Sequence, residues 1–541
     1  MTIILDRRSL LQAGMLGVGA LALPGNAAAL LTAKGFTHDI ASGEPRQHSV
    51  LLWTRYVPPS GDSARLQWQV SPSPSFSSIA ASGEVMAEGS HDFTVKPVAD
   101  GLHPGRWYYY RFRDGRGRLS PVGRTKTLPD GPVDKFKLAL FSCSNMGFGW
   151  FNAYAHAAAR DDLDMTVHVG DYFYEYKRGD YPSPEEAVRL RSIVPLGELI
   201  HLADYRMRYA GYRGDPDLRA LHRRFPMVAM WDDHESANDC WVGGAENHQP
   251  ATEGPWAARK AAAERAYREW MPVSDEPWES YEIGDLATIF WPETRLTART
   301  HQLYLPDAVR GQSDVEAALI RFRDGPWQDP ARTLMGPVQE QWLADGFRRS
   351  VERGAKWQVL AQQVIVGSLE TPPEAASWLS PTASAEERSN NATELAAAKL
   401  GLPFNMDDWN GYPAARTRLL KSALDANANL VILSGDSHNA WAFDLDLGGT
   451  PAGVELSGQS VTSPGYEGVG VAPDQIARAL VARNRQLKWM DSSRRGYVAV
   501  DFTPDRATGE WVFLDTIRQH SMRLSGTHRM SSAIGAHRFT A

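Results

Sequence analysis

Five short apolar segments, separated by helical patterns, constrain the fold of this chain more than any other feature. Each has the length and composition of a buried strand, and the intervening stretches 151–160, 257–269 and 414–426 show helical periodicity. Short apolar strands that alternate with helices predict an α/β protein with an interior sheet covered by helices. The five segments are residues 136–141, 165–170, 227–231, 357–361 and 430–434.

The region before residue 130 has a different pattern. Strand-like segments at 49–54, 66–70 and 106–112 are separated by clusters of Pro, Gly, Ser and Asp, which predicts an all-β sandwich of immunoglobulin or fibronectin type. A chain of 541 residues is long enough for two domains. We therefore predict a small sandwich at 36–130 and a larger α/β domain at 134–530.

The N-terminal 30 residues predict a targeting signal. Arg7 and Arg8 stand directly before an uncharged apolar stretch that ends at Pro24, and small residues follow at 26–29. This pattern is typical of a twin-arginine export signal, which the translocation machinery reads on folded proteins. We expect a periplasmic or secreted protein without a stable membrane span after cleavage, because no later segment has 18 uninterrupted apolar residues. The alternative is an uncleaved membrane anchor.

Composition excludes some partners and leaves others open. A net charge of -7 argues against nucleic-acid binding, which needs a basic face. It does not exclude an anionic substrate, because local cations or metal ions outweigh a distant negative surface. The two cysteines, Cys143 and Cys240, could form a disulfide in an exported chain. Cys143 has an alternative use, because it directly follows an apolar strand.

Four of the five apolar strands run directly into residues that can bind metal ions. Such side chains meet at one edge of an α/β sheet, so residues far apart in sequence are expected to converge. Each motif alone also fits a turn, a helix cap or a solvated loop, but burying so many carboxylates together is costly without cations. The motifs are Ser142-Cys143-Ser144-Asn145, Gly170-Asp171-Tyr172-Phe173-Tyr174, Asp232-Asp233-His234-Glu235 with Asn238-Asp239, and Gly435-Asp436-Ser437-His438.

The donor atoms in these motifs indicate which cations fit. Carboxylate oxygens favour hard ions such as Ca²⁺, Mg²⁺ or Mn²⁺. A thiolate together with a phenolate favours ferric iron, and zinc is the fallback because it takes Cys, His and Asp readily. A mixed site is the interpretation that uses all the donors.

These motifs resemble those of a known family. Gly170-Asp171-x-x-Tyr174, Asp232-Asp233-His234-Glu235 and Gly435-Asp436-x-His438 are similar to the strand-end motifs of the calcineurin-like metallophosphoesterases. More specifically, with residues 107–112 and 409–413, the chain resembles the PhoD alkaline phosphatase and phosphodiesterase family. The resemblance implies a layered α/β metallophosphoesterase domain, with central β-sheets flanked by helices, after an N-terminal β-sandwich.

The resemblance also implies a metal centre with one ferric iron and one or two calcium ions, with zinc or manganese as the fallback. Carried over by motif, Cys143 and Tyr174 would ligate iron, and Asp171 would bridge iron and calcium. Asp232, Asp233, Asp436 and His438 would complete the centre. One departure concerns Asn238-Asp239-Cys240, where the family tends to have two asparagines. Asn238 and Asp239 are both candidate ligands, and the added charge of Asp239 would either strengthen calcium binding or weaken phosphate affinity.

The predicted reaction is hydrolysis of phosphate monoesters, diesters or both, by attack of a metal-activated hydroxide or oxo group. Asp171 would hold the cations, and a water molecule or His234 would protonate the leaving group. Arg206, Arg208 and Arg295 are candidates to clamp phosphate oxygens, with a surface salt bridge as the alternative for each.

Three rival interpretations remain open. One is a phospholipase D-like enzyme, or a diesterase of envelope polymers, on the same scaffold. Another is an envelope carbohydrate-binding protein that stacks sugars on Trp53, Trp68 and Trp107 and holds a structural calcium. The third treats Cys143 and Cys240 as a disulfide.

Overall fold

The computed structural model describes residues 33–379 and 383–540, and within them the chain has a mixed α/β fold. The strands are β1 Gly35–Gly43, β2 Val50–Val57, β3 Ser63–Ser71, β4 Ala81–Glu88, β5 Thr94–Val95, β6 Val98–Ala99, β7 Trp107–Asp114, β8 Gly123–Lys126, β9 Phe136–Phe141, β10 Met165–His168, β11 Met227–Ala229, β12 Glu279–Ile283, β13 Ala287–Trp291, β14 Trp357–Ala361, β15 Leu430–Ser434, β16 Ala440–Leu447, β17 Thr450–Ser457, β18 Leu487–Asp491, β19 Gly496–Phe502, β20 Arg506–Leu514 and β21 Leu524–Ala533. The α-helices are α1 Asn152–Ala158, α2 Leu202–Arg213, α3 Pro216–Arg224, α4 Pro250–Glu253, α5 Trp256–Trp270, α6 Leu305–Val309, α7 Val315–Asp324, α8 Gly336–Glu352, α9 Ala385–Lys399, α10 Pro413–Asp425 and α11 Pro473–Arg483.

Two large sheets share one apolar core. The first has ten strands in the order β21-β20-β19-β9-β10-β11-β1-β2-β5, with β6 also paired to β2. The second has seven, in the order β12-β13-β14-β15-β17-β16-β18. Leu140 and Val167 of the first sheet belong to the same buried cluster as Val431, Leu433 and Val454 of the second. The removal of this apolar area from water holds the sheets together.

Helices cover the sheets. Tyr209 of α2, Leu221 of α3 and Trp270 of α5 add to the core of the first sheet. Leu420 of α10 and Leu480 of α11 pack in a separate cluster with residues of the second sheet. The result is the layered α/β architecture that the sequence predicts.

All five predicted apolar strands are present, as β9, β10, β11, β14 and β15. They divide between the two sheets, so that β9, β10 and β11 lie side by side and parallel in the first sheet. The strands β14 and β15 are parallel neighbours in the second. The carboxyl ends of strands in both sheets are therefore available to form one site.

The N-terminal all-β region is present, and one of its two layers continues into the first large sheet. The sheet β4-β3-β7-β8 packs on β1, β2, β5 and β6 through a buried cluster that includes Ile40, Leu52 and Trp68. The connection to β11 depends on Gly43, where a Cβ atom would lie 2.0 Å from the Pro272 carbonyl oxygen. The division into domains at 36–130 and 134–530 stays a prediction, because a continuous sheet crosses it.

The fold also bears on the predictions for three tryptophans, for residues 372–391 and for the export signal. Trp53 and Trp68 are buried and Trp107 packs under Arg124, so the sugar-stacking interpretation finds no free tryptophan face among them. The stretch 372–391 is rich in Ser, Ala, Thr, Pro and Glu, which predicts a surface loop. Instead, helix α9 begins at Ala385 with a capping box from Ser384.

The predicted export signal at 1–30 lies outside the described residues. Within them, no helix has the length and hydrophobicity to cross a membrane.

Candidate metal centre

The predicted ligands converge where four strands end. Cys143, Asp171 and Asp232 follow β9, β10 and β11, and Asp436 and His438 follow β15. Their donor atoms form three groups, and within each group all atoms lie within 4.8 Å of one another. The groups are Cys143, Asp171 and His438; Asp171, Asp233 and His234; and Asp171, Asp232, Asp233 and Asp436.

The backbone at these positions is in the left-handed region. The φ angles are 58° at Cys143, 55° at Asp171, and 61° at both Asp436 and His438. Such angles are uncommon for residues other than glycine and cost free energy, so the surrounding fold must hold them. Their repetition after three different strands indicates that the turns are shaped to aim side chains at one point.

Gly170 and Glu235 hold the ends of β10 and β11 together. Gly170 has a φ of 102°, and a Cβ atom there would lie 2.4 Å from the Asp232 Cβ. The Glu235 carboxylate accepts hydrogen bonds from the backbone N–H groups of Asp171 (3.1 Å), Tyr172 (2.6 Å) and Asp232 (2.8 Å). These contacts fix the spacing between the Asp171 and Asp232 side chains.

Tyr174 lies between two acceptors. Its hydroxyl oxygen is 3.0 Å from Asp171 Oδ2 and 2.9 Å from His438 Nε2, while Ser463 Oγ donates to it at 2.8 Å. His438 Nδ1 lies 2.9 Å from the Pro464 carbonyl oxygen, which can only accept, so Nδ1 carries the hydrogen and Nε2 has the lone pair. One phenolic hydrogen cannot serve both acceptors, and a cation among the three groups would satisfy them all.

Three carboxylate oxygens of the centre's buried acids have no hydrogen-bond partner among the described residues. Asp171 Oδ1, Asp232 Oδ2 and Asp233 Oδ1 are buried without a hydrogen-bond partner in the part of the chain that the structure describes. Burial raises the pKa of Asp171 well above its ordinary value. It does the same to the pKa of the Cys143 thiol, with a further contribution from Asp171 and Asp436. The donor set therefore fits bound cations, which would stabilise the charged forms.

Arg295 lies on the buried side of the centre. Its Nε donates to Asp232 Oδ1, and its Nη1 donates to Asp407 Oδ2 at 2.7 Å. Its Nη2 is 3.7 Å from Asp233 Oδ1 and 3.8 Å from Asp436 Oδ1. The side chain has no exposed surface, so Arg295 compensates carboxylate charge from below, and the surface salt bridge considered for it is wrong. Asp407 belongs to none of the sequence motifs that predict the centre.

Arg208 and Arg206 do not face the centre. The buried Arg208 guanidinium donates to the backbone carbonyls of Tyr174 and Tyr176, and to three more at residues 194, 195 and 197. This geometry does not fit a phosphate clamp, because the N–H groups are directed at the chain itself. Arg206 pairs with Glu269, which fits the salt-bridge alternative.

His234 is held by Glu175, a residue outside the motifs that predict the centre. Its Nδ1 is 2.7 Å from Glu175 Oε2, and Glu175 Oε1 accepts from Asn238 N at 2.8 Å and Asn247 Nδ2 at 2.9 Å. Burial lowers the pKa of His234, but Asp233, Asp171 and Glu175 outweigh it and raise that pKa well above its ordinary value. An acidic residue directly after Gly170-Asp171-x-x-Tyr174 was the available signal.

Asn238 and Asp239 lie at the edge of the centre. The Asn238 side chain donates to Glu246 Oε2 at 3.0 Å. The Asp239 backbone N–H donates to Asp233 Oδ2 at 2.7 Å, and the Asp239 carboxyl belongs to none of the three donor groups formed by described residues. Burial, with Asp407 and Asp233, raises the pKa of Asp239 to about 8.

Cys143 and Cys240 are both free and buried, so the disulfide interpretation does not apply to this structure. Above the centre is an open cleft of about 430 Å³. Its lining consists of Tyr176, Asp180, Tyr181, His234, Asn238, Asn247 and His438.

The layered α/β fold brings acidic, histidine and cysteine side chains together at strand ends, which defines a class of α/β proteins with a potential metal-binding site at that edge. Comparison with known families narrows the class. Residues 138–511 match the family model described as PhoD-like phosphatase, and residues 23–129 match the one described as PhoD-like phosphatase, N-terminal domain. The chain belongs to the PhoD-like phosphatase family, as its motifs indicate, and is a hydrolase of the phosphatase class.

Two relatives are similar over nearly the whole chain. Alkaline phosphatase D of Bacillus subtilis (strain 168) is 32% identical over 524 residues, which are 92% of this chain and 81% of that protein. A solved structure described as the structure of PhoD has a TM-score of 0.77 and 30% identity, and the match covers 94% of this chain and 92% of that one.

Proposed function

We propose that this chain is an exported, metal-dependent phosphoesterase that hydrolyses phosphate monoesters, diesters or both. The observation that carries the proposal is the position of Asp171, which belongs to all three groups of potential ligands. A carboxylate shared in this way is suited to bridge two cations. The membership of the chain in a phosphatase family supports phosphate esters as substrates.

Two kinds of donor set favour two kinds of cation. Cys143, Tyr174 and His438, together with Asp171, would hold ferric iron, because a thiolate and a phenolate favour a polarising ion. Asp232, Asp233 and Asp436, again with Asp171, would hold one or two calcium ions, which prefer oxygen ligands. Zinc or manganese is the alternative. When bound, such cations supply Lewis acidity to the phosphate oxygens and to a water molecule.

His234 is the proton donor in this proposal. Glu175 accepts the hydrogen on Nδ1, so the ring is fixed with Nε2 directed at the centre. A proton held at Nε2 would pass to the oxygen of the departing alcohol. Proton donation of this kind contributes about 10²- to 10⁴-fold to a rate.

The remaining predicted residues act in supporting roles. Arg295 fixes Asp232 and reduces the repulsion among the buried carboxylates. Asn238 and Asp239 act through their backbone N–H groups, which bind Glu175 and Asp233. Arg208 holds the segment from Tyr174 to Tyr176 through its carbonyl contacts.

Export by the twin-arginine route is part of the proposal. The paired arginines at 7 and 8 and the apolar stretch that follows support it. The route carries folded proteins, so the cations would be loaded before transport.

Metal content and hydrolysis measured on one preparation test the proposal. The purified protein should contain iron and calcium and should release 4-nitrophenolate from 4-nitrophenyl phosphate, from bis(4-nitrophenyl) phosphate or from both. The relative rates separate a monoesterase from a diesterase. Asp171→Asn should lose the metal and at least about 10³-fold in kcat, while Asp425→Asn, at an exposed helix position paired with Lys421, should not. Full activity of Asp171→Asn would overturn the proposal.

A further inference from the structure

Two tyrosines and one aspartate form a wall of the cleft above the metal centre. Tyr176 and Tyr181 both line the cleft, with ring centroids 5.8 Å apart in an edge-to-face arrangement. Asp180 lies between them in sequence and lines the same cleft, with 47% of its side chain exposed. This wall lies beside His234, whose ring centroid is 5.4 Å from that of Tyr176.

The fold holds the tyrosine wall in place. Arg208 Nη2 donates to the Tyr176 carbonyl at 3.2 Å. The Phe148 ring packs edge-on against Tyr181 at 4.8 Å. A Cβ atom at Gly147 would lie 2.6 Å from Pro182 Cδ, so the absence of a side chain there allows the residue after Tyr181 to pack closely. The aromatic faces are therefore positioned before any substrate enters.

The wall has the wrong charge for a polyanion. Of the described residues that line the cleft, none is Lys or Arg, and Asp180 is the one carboxylate. The Lys177 ammonium lies 3.5 Å from Asp180 Oδ2, but both side chains are about half exposed, and such pairs contribute little. A carboxylate in this position repels a substrate that is purely anionic beyond its scissile phosphate, and attracts one that carries a cation there.

We propose that the cleft selects phosphate esters whose alcohol carries an ammonium group. A quaternary or primary ammonium that lies in the cleft against the Tyr176 and Tyr181 rings would contact aromatic π-systems, which attract cations, with the Asp180 carboxylate beside it. The inference rests on the proposed function, because it assumes that the phosphate binds at the metal centre.

Two esters of the same shape test this selection. Phosphocholine carries a trimethylammonium group, and 3,3-dimethylbutyl phosphate has a neutral tert-butyl group in its place. The ratio of their kcat/KM values, from phosphate release by the metal-loaded protein, reports the attraction for the charge. Comparing this ratio between variants cancels the difference in leaving-group chemistry.

The variants have distinct expected results. Asp180→Asn, Tyr176→Leu and Tyr181→Leu should each lower the ratio about three- to tenfold. Tyr181→Phe should keep it, because the ring face supplies the attraction. Lys177→Met should raise it, because a competing cation is removed. Asp324→Asn, which removes an exposed acid on α7, should leave it unchanged.

Three results decide between failure of the inference and failure of the proposed function. An equal ratio in the wild type, Asp180→Asn and Tyr181→Leu overturns the inference, while turnover of 4-nitrophenyl phosphate keeps the proposed function. If neither alkyl ester releases phosphate, their inhibition constants against 4-nitrophenyl phosphate should show the same pattern, and equal constants overturn the inference. If the protein hydrolyses none of these esters, the proposed function is overturned. Calorimetry then decides the inference, by comparing the affinities of the wild type and the variants for the two alkyl esters.

Discussion

The carboxylate of Glu175 and the imidazole of His234 are joined by a buried hydrogen bond of 2.7 Å, between Oε2 and Nδ1. The other oxygen of Glu175 accepts from the Asn238 backbone and the Asn247 side chain. Glu175 therefore links the orientation of the His234 ring to the loop that follows β11. A change at residue 175 should act on proton donation without removing a proposed metal ligand.

Glu175→Gln should slow the hydrolysis of alkyl phosphates more than that of aryl phosphates. An alkoxide is a poor leaving group and needs a proton, whereas 4-nitrophenolate leaves without one. We expect kcat to fall about 10- to 100-fold for an alkyl phosphate, and less than about threefold for 4-nitrophenyl phosphate. Steady-state kinetics on both substrates measures the difference, and an equal loss on both would contradict a positioning role for Glu175.

Tyr174→Phe should remove a visible absorption band. A phenolate bound to ferric iron gives a charge-transfer band, and Tyr174 lies within 3.0 Å of both Asp171 and His438. We expect Cys143→Ser to shift or remove the band as well, with a lower iron content in both variants.

Tyr154→Phe is the matched control for that spectrum. Tyr154 is also a buried tyrosine, and its hydroxyl contacts Ser144 and His168, but it belongs to none of the proposed ligand sets. An unchanged band in Tyr174→Phe, or loss of the band in Tyr154→Phe, would assign the chromophore to another residue.

Gly170→Ala should destabilise the protein and disturb the centre. The added Cβ would lie 2.4 Å from Asp232 Cβ and 2.6 Å from Asp232 N, and the φ of 102° is unfavourable for alanine. We expect a loss of about 2–4 kcal/mol in the free energy of unfolding, measured by denaturant titration, together with a lower metal content.

Gly101→Ala separates the cost of the positive φ from the cost of the contact with Asp232. Gly101 has a φ of 75°, but nothing lies within 4 Å of the Cβ that would be added. The free energy of unfolding should fall only by the cost of placing alanine at a positive φ, about 1 kcal/mol, and the variant should keep its metal. Equal losses in Gly101→Ala and Gly170→Ala would show that the contact with Asp232 has no energetic role.

The sequence predicts the strand ends better than the contacts between them. Apolar strands followed by Asp, Cys and His are local patterns, and parallel pairing brings β9, β10 and β11 to one edge, so the convergence on Asp171 could be predicted. Asp407 lies 112 positions from its partner Arg295, and only tertiary packing brings them together. For the same reason, no local pattern distinguishes a substrate-facing arginine from Arg208, whose partners are backbone carbonyls.

Glu44→Gln should stabilise the protein at neutral and higher pH, and the gain should fall towards zero as the pH drops to about 4.5. Glu44, in the turn between β1 and β2, accepts a hydrogen bond from the Ser274 backbone. Burial, followed by the nearby Glu279, raises the pKa of Glu44 to about 7 from an ordinary value of 4.5. The folded state therefore binds the proton more tightly than the unfolded state does. The stability from that proton is fully present below pH 4.5 and is lost as the pH rises through 7.

Glutamine imitates the protonated acid at every pH, so the gain over the wild type should grow between pH 5 and 8 and reach at most about 3 kcal/mol. Urea titrations at both pH values measure it. A gain for Glu44→Gln that is the same at pH 5 and pH 8 would mean that Glu44 is already ionised in the folded protein at pH 5, and that the Ser274 N–H offsets the cost of burying its charge.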